Sequence, residues 1–229
     1  MPGRGDAHKA CDSGGGAEED KNSRGSAQAV RDGAAGDEAA DRVKAVLFEH
    51  IQKSDAVPRL VAAGRPDMAA QNLVRACHGM VAGLSEATTP GMASGVLATG
   101  IMHYVLTRML VRSQRSIRHD GEDLDIVIPD AKTLAGDPGR ALVICAPKTA
   151  DAAAIRGALR GARRVQPVPG NVWLVLPEEA AKSGPYSAKS FVVTRDGCSF
   201  ARIFAEIQEF LDRTSTEGAG SRRLRILGA

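Results

Sequence analysis

A chain of 229 residues with 43% apolar and 25% charged side chains is long enough to bury one sizeable core, and its composition is that of a globular protein. A net charge of +3 is too small to imply a polyanionic partner by itself, and an aromatic content of 3% argues against reading single-stranded bases by stacking. The four cysteines, Cys11, Cys77, Cys145 and Cys198, show no CxxC or Cys/His ligand spacing, which argues against a structural zinc site. With no apolar signal core at the N-terminus, they fit a reducing, cytoplasmic setting.

Residues 1–36 hold Gly, Ala, Asp, Ser and Arg with almost no large apolar side chain, so they are expected to be a disordered tail. Val43, Val46, Leu47, His50 and Ile51 recur at helical spacing and predict a first helix over 37–53. A second helix opens at Pro66 and carries Leu73, Cys77, Met80, Val81 and Leu84 on one face. A third runs over 90–113, with Thr88 or Thr89 as cap and Pro90 in its first turn. Its first half, "GMASGVLATG", is apolar or small on every side and predicts a helix packed on several faces rather than a membrane span. Its His103 is expected to be buried, and its Gly91 and Gly95 form a GxxxG that helices in lipid use to dimerise.

The pattern then shortens. "RSIRHDG" reads as an edge strand, and "DLDIVIP" and "RALVICAP" as branched, apolar strands. The ten residues "DAKTLAGDPG" between the latter two are too few for a crossover helix, so these strands are expected to be antiparallel neighbours. "TADAAAIRGALRGARR" predicts a helix with Thr149 as cap. "NVWLVLPE" and "KSFVVTRDG" predict two more strands, and "SFARIFAEIQEFLDR" a closing amphipathic helix with Ser199 as cap. The fold class is α/β: a single domain over 37–212, with a helical extension at 37–89 packed on a core at 90–212, and a flexible basic tail at 213–229 holding Arg222, Arg223 and Arg225.

The order helix, three strands, helix, strand over residues 90–177 resembles the PD-(D/E)XK superfamily of restriction-endonuclease-like nucleases. Pro129-Asp130, fifteen residues, then Ala146-Pro147-Lys148 repeats its letters, with one departure. The resemblance implies magnesium held by the acid after the second strand and by the acid opening the (D/E)-x-K motif, with the lysine positioning the attacking water. On that reading Asp125 and Asp130 are the metal ligands and Lys148 completes a catalytic set of Lys148, Asp130 and Asp125. Ala146 stands where the motif needs an acid, and residues 91–112 contain no Asp or Glu; Glu86 lies just before that helix. The resemblance is therefore to a degenerate nuclease, with magnesium as cofactor if active and none otherwise. The Asp-x-Asp of Asp123 and Asp125 also resembles the metal-binding pair of polymerase-β-type nucleotidyltransferases, without the Gly-Ser motif that should precede it. Unbroken strand alternation would put Asp123 and Asp125 on one face and Asp130 on the other.

Two basic clusters bear on partners. Arg108, Arg112 and Arg115 are spaced as one stripe at the end of the third helix, and Arg156, Arg160, Arg163 and Arg164 gather on the later one. Beside a nuclease-like strand pair, both are candidate phosphate contacts. The expected function is nucleic-acid binding, to DNA or RNA, with an incomplete nuclease site and no membrane partner. Against it stands a structural or protein-interaction module whose arginines only solubilise it. A homo-oligomer is left open.

Overall fold

The computed structural model describes residues 37–81, 84 and 89–220. The expected tail at 1–36 with its Cys11, together with Glu86, Arg222, Arg223 and Arg225, lies outside the described residues. Helix α1 (37–53) buries Val43 and Leu47, with Glu38–Arg42 and Glu49–Lys53 pairs on its outer face. Helices α2 (Ala56–Ala62) and α3 (Pro66–Val81) follow; α3 buries Leu73, Cys77 and Val81 as its spacing predicts, while Met80 is 47% exposed. Helix α4 (Pro90–Arg108) is capped by Thr89, whose Oγ1 accepts a hydrogen bond from the Met92 amide at 3.3 Å. It is buried from Gly91 to Leu106 on more than one side, as an all-round apolar sequence requires. No helix among the described residues is long and apolar enough to cross a membrane.

Helix α4 stops five residues earlier than its spacing suggests. The Val111 amide bonds to the Leu106 carbonyl at 2.9 Å and the Leu110 amide to Thr107 at 3.1 Å, a Schellman stop. That motif needs a left-handed residue, and here it is Leu110, at φ 58° and 92% exposed, where glycine is usual. Leu110→Gly is therefore expected to stabilise the protein, by about 0.5–1 kcal/mol after the extra unfolded-state freedom of glycine is subtracted from the relieved strain. A denaturant melt would read it.

The strands form one mixed sheet in the order β1-β2-β3-β4-β5. Strands β1 (Gln114–His119) and β2 (Glu122–Ile128) are joined by Asp120-Gly121, both at positive φ, the two-residue turn that suits a twisted hairpin. Strand β3 (Leu142–Cys145) pairs antiparallel with β2, as expected, although the short connection still folds a turn of helix, α5 (Ala131–Gly136). Helix α6 (Ala152–Val165) then crosses to β4 (Val172–Pro177), which lies parallel to β3. After the single turn α7 (Glu178–Ala181), β5 (Lys189–Val193) lies parallel to β4. Asp151, not Thr149, caps α6, accepting from the Ala154 amide at 2.7 Å; Thr149 accepts from the Asp151 amide one turn earlier.

Two cores flank the sheet. On one face Ile126, Ile128, Leu142 and Ile144 pack against α1, α3, α4 and the closing helices, so the N-terminal helices share a core with the sheet. On the other Leu124, Val127, Val143 and Cys145 pack under Ile155 and Leu159 of α6. The buried amides of Gln166 and Asn171 bond to the carbonyls of Pro138, Gly139 and Ala141, pinning the end of α6 to the β2–β3 connection. The chain closes with α8 (Cys198–Ala201) and α9 (Ile203–Gly220), which bury Phe200, Ile203, Phe204, Ile207 and Phe210. Asp196 accepts from the Cys198 amide at the start of α8; Ser199 instead accepts from the Val192 amide. The expected tail from 213 begins inside α9. Thr214 is buried and bonds back to the Phe210 carbonyl, and no breaker intervenes before Gly218.

Candidate functional site

Antiparallel pairing of Ile126 with Ile144 sets Asp125 beside the end of β3. Its carboxylate Oδ2 accepts the Ala146 amide at 2.8 Å. The pleat breaks at this point. Arg115 and Ile117 are two residues apart yet lie on opposite sides of the sheet, as do Ile126 and Leu124. Between them, opposite Asp125, Ser116 takes φ 50°. The break falls at Asp125, so strict alternation does not carry through to Asp123, which stays exposed in the hairpin opposite Arg118. The two carboxylates of the Asp-x-Asp pair thus have different surroundings.

Asp125 is half-buried. Loss of water raises its carboxyl above the usual carboxylate range; the Ala146 amide and the charge of Lys148 oppose that rise without cancelling it. Its folded pKa exceeds its unfolded one, so the folded state holds the extra proton and stability falls as pH rises above about 4. Asp125→Asn keeps an acceptor for the Ala146 amide. It is expected to melt higher than the wild type at pH 7, with the difference fading by pH 3, where both states are protonated. Thermal melts at the two pH values measure this. Beneath the same corner, burial and then the nearby Asp125 push the Cys145 thiol up to about 12, which leaves it unreactive.

Asp130 does not join this group. The register runs β2 the opposite way to β3, so Asp130 and Lys148 lie at opposite ends of the sheet, on the order of 20 Å apart at the rise of a strand. Asp130 caps α5, accepting from the Thr133 amide at 2.7 Å, and faces the Arg112 guanidinium at 3.2 Å; these contacts hold its carboxyl below the usual range. It is a structural cap. Asp130→Ala is expected to cost about 1–2 kcal/mol of stability and to leave any activity at Lys148 unchanged, read by denaturant melts beside a binding assay.

The stripe expected of Arg108, Arg112 and Arg115 is dispersed by the Leu110 turn. Arg108 ends α4, Arg112 is spent on Asp130, and Arg115 stands on β1. There Arg115 lines a cleft of about 320 Å³ with Lys44, His103, Ser116 and Lys148, over the apolar floor of Leu47, Val96 and Gly100. No carboxylate among the described residues lines it. His103 is exposed rather than buried. Partial desolvation, followed by the neighbouring Arg115, lowers its pKa, so it is largely neutral at pH 7. Lys44 pairs with Asp41 at 2.8 Å.

Glycine builds the cleft. A Cβ at Gly95 would stand 2.8 Å from the Pro147 carbonyl and 3.0 Å from the Lys148 Cα, and one at Gly91 would stand 3.0 Å from the Ala150 amide nitrogen. The GxxxG of α4 therefore lets a helix backbone lie directly against residues 147–150 and carry Lys148. At Gly100 the same freedom admits the Leu47 side chain, seating α1 as the cleft's other wall. Sequence reasoning missed Lys44 and His103. The signal for His103 was its spacing three residues after Gly100 on the α1-facing side of α4.

Arg156, Arg160, Arg163 and Arg164 lie on α6, over the opposite face of the sheet from this cleft. Arg164 pairs with Glu122 at 2.6 Å, and Arg163 donates to the Ser187 carbonyl.

A divalent cation of the magnesium type wants several hard oxygens. The corner supplies one carboxylate, already engaged by an amide, and a methyl from Ala146; no group of three His, Cys, Asp or Glu that could hold a metal occurs among the described residues. The residues present do not fit magnesium. What the cleft can do is hold an anion over an apolar floor with Arg115 and Lys148. Compared with known proteins, the chain matches no family model, no curated protein and no solved structure.

Proposed function

We propose that the chain binds nucleic acid through the cleft between α1, α4 and β1, on a restriction-endonuclease-like scaffold whose metal-dependent nuclease site is incomplete. The observation that carries the reading is the corner itself: Asp125 on β2 and Lys148, just after β3, lie close enough at one end of the sheet for their charges to interact, and Lys148 lines with Arg115 a cleft that no carboxylate among the described residues lines. The connectivity of helix, three antiparallel strands, crossover helix and parallel strand supports the scaffold. Phosphates would contact Arg115 and Lys148, each neutralised charge adding to the salt dependence of binding.

A salt titration of duplex DNA and RNA binding, run beside a cleavage assay in magnesium and in manganese, tests the reading. Binding that weakens steeply with salt, without cleavage, is the expected result. A flat salt response, or no binding at low salt, sinks the nucleic-acid reading in favour of a protein-interaction module. Cleavage that disappears in Lys148→Ala would mean that the nuclease site is complete after all.

A further inference from the structure

The α6 face carries a second recess, of about 280 Å³ and open to solvent, lined by Arg156, Leu159, Arg160 and Arg163 from the helix and by Pro185 and Tyr186 from the segment before β5. No carboxylate lines it, and neither Arg156 nor Arg160 has an acid within ion-pair distance among the described residues. Two residues of its lining each hold a buried donor with no partner among the described residues: the Arg163 Nε–H and the Tyr186 hydroxyl. Buried polar groups are almost always hydrogen-bonded, so two such groups on one recess mark a missing partner. Arg163 is already held in place, because its Nη2 donates to the Ser187 carbonyl. Its Nε is therefore a fixed donor rather than a flexible one.

We infer that this recess is a binding pocket for a phosphate monoester, separate from the α4 cleft. The missing partner must accept hydrogen bonds from several directions and carry negative charge. A carboxylate offers two oxygens and a single charge, and chloride is a point acceptor with a single charge. A terminal phosphate offers three oxygens and close to two charges to two guanidiniums, a fixed N–H and a phenol. The phosphodiester of a continuous strand carries one charge and is flanked by sugars on both sides, which suits a recess less well than a chain end or a small phosphate ester.

The full chain should be titrated with inorganic phosphate against chloride at matched ionic strength, by calorimetry. Saturable phosphate binding is expected. It should weaken about tenfold or more in the Arg156→Ala/Arg160→Ala protein and by a smaller factor in Tyr186→Phe, which removes one hydroxyl from an otherwise intact pocket. The Arg115→Ala/Lys148→Ala protein, which lacks the cations of the α4 cleft, should retain a saturable phosphate site that the Arg156→Ala/Arg160→Ala protein lacks, so the two sites fail separately. Equal response to chloride, or equal phosphate binding in every variant, overturns the proposal. A short oligonucleotide with and without a 5′-phosphate then identifies the source. Preference for the phosphorylated end, lost in the double variant, assigns the pocket to nucleic-acid ends; no preference, with phosphate binding retained, assigns it to a small phosphate ester.

Discussion

The Gly95→Val protein will lose about 3 kcal/mol or more of stability, and its surviving folded fraction will bind nucleic acid poorly. The obstruction at Gly95 is backbone: the Pro147 carbonyl and the Lys148 Cα leave no room for even one carbon. A side-chain neighbour would turn aside, but the segment after β3 is tethered by the strand on one side and by the capped start of α6 on the other. The helix must move away from the sheet, and its buried residues from Val96 to Leu106 then lose contacts on the core side. Alanine is the informative comparison. It gains up to about 1 kcal/mol of helix propensity over glycine, so a net loss in Gly95→Ala would isolate the steric term. Gly79, with nothing within 4 Å of its Cβ position, is the control, and Gly79→Ala should stabilise. Urea melts of the three variants measure the series.

Arg115→Ala/Lys148→Ala is the second large effect, on binding rather than folding. Both side chains are exposed, and neither forms an ion pair or a helix cap among the described residues, so the melting temperature should move little. Each phosphate contact contributes a slope of about 0.9 to the dependence of log K on log salt, which near 0.1 M is close to a factor of ten. The double variant should therefore bind on the order of a hundredfold more weakly and show a shallower salt slope by nearly two. Loss of affinity without a change of slope would mean that the two cations act on something other than phosphates.

Where local chemistry decided the outcome, the sequence was informative. Thr89-Pro90 is a helix start, Asp120-Gly121 is a hairpin turn, and the short link after β2 allows only an antiparallel neighbour. The stop of α4 was not legible, because the left-handed position is filled by Leu110, a residue that gives no turn signal. That one conformation turned an apparent arginine stripe into three separate environments. The site was half legible. Asp125 and Lys148 come near one another where the β2–β3 pairing ends, whereas Asp130, which follows a proline as the motif asks, lies at the other end of that pairing. Letters carry no direction, and antiparallel register puts the end of β2 beside the beginning of β3, away from Lys148. Lys44 and His103 belong to the cleft only because Gly100 lets α1 approach α4, a contact between distant segments that no local pattern encodes.

Strand β1 ends the sheet on one side and leaves a row of backbone donors and acceptors without a neighbouring strand among the described residues. Such a border invites another copy to zip onto it. Here it carries Arg115 and Arg118 within a four-residue stretch, and in a two-fold antiparallel pairing like charges from the two copies would confront one another. Arg115, which also furnishes the cleft, therefore helps Arg118 guard the molecule against stacking edge to edge, and an anion laid on it would remove part of that guard as it bound.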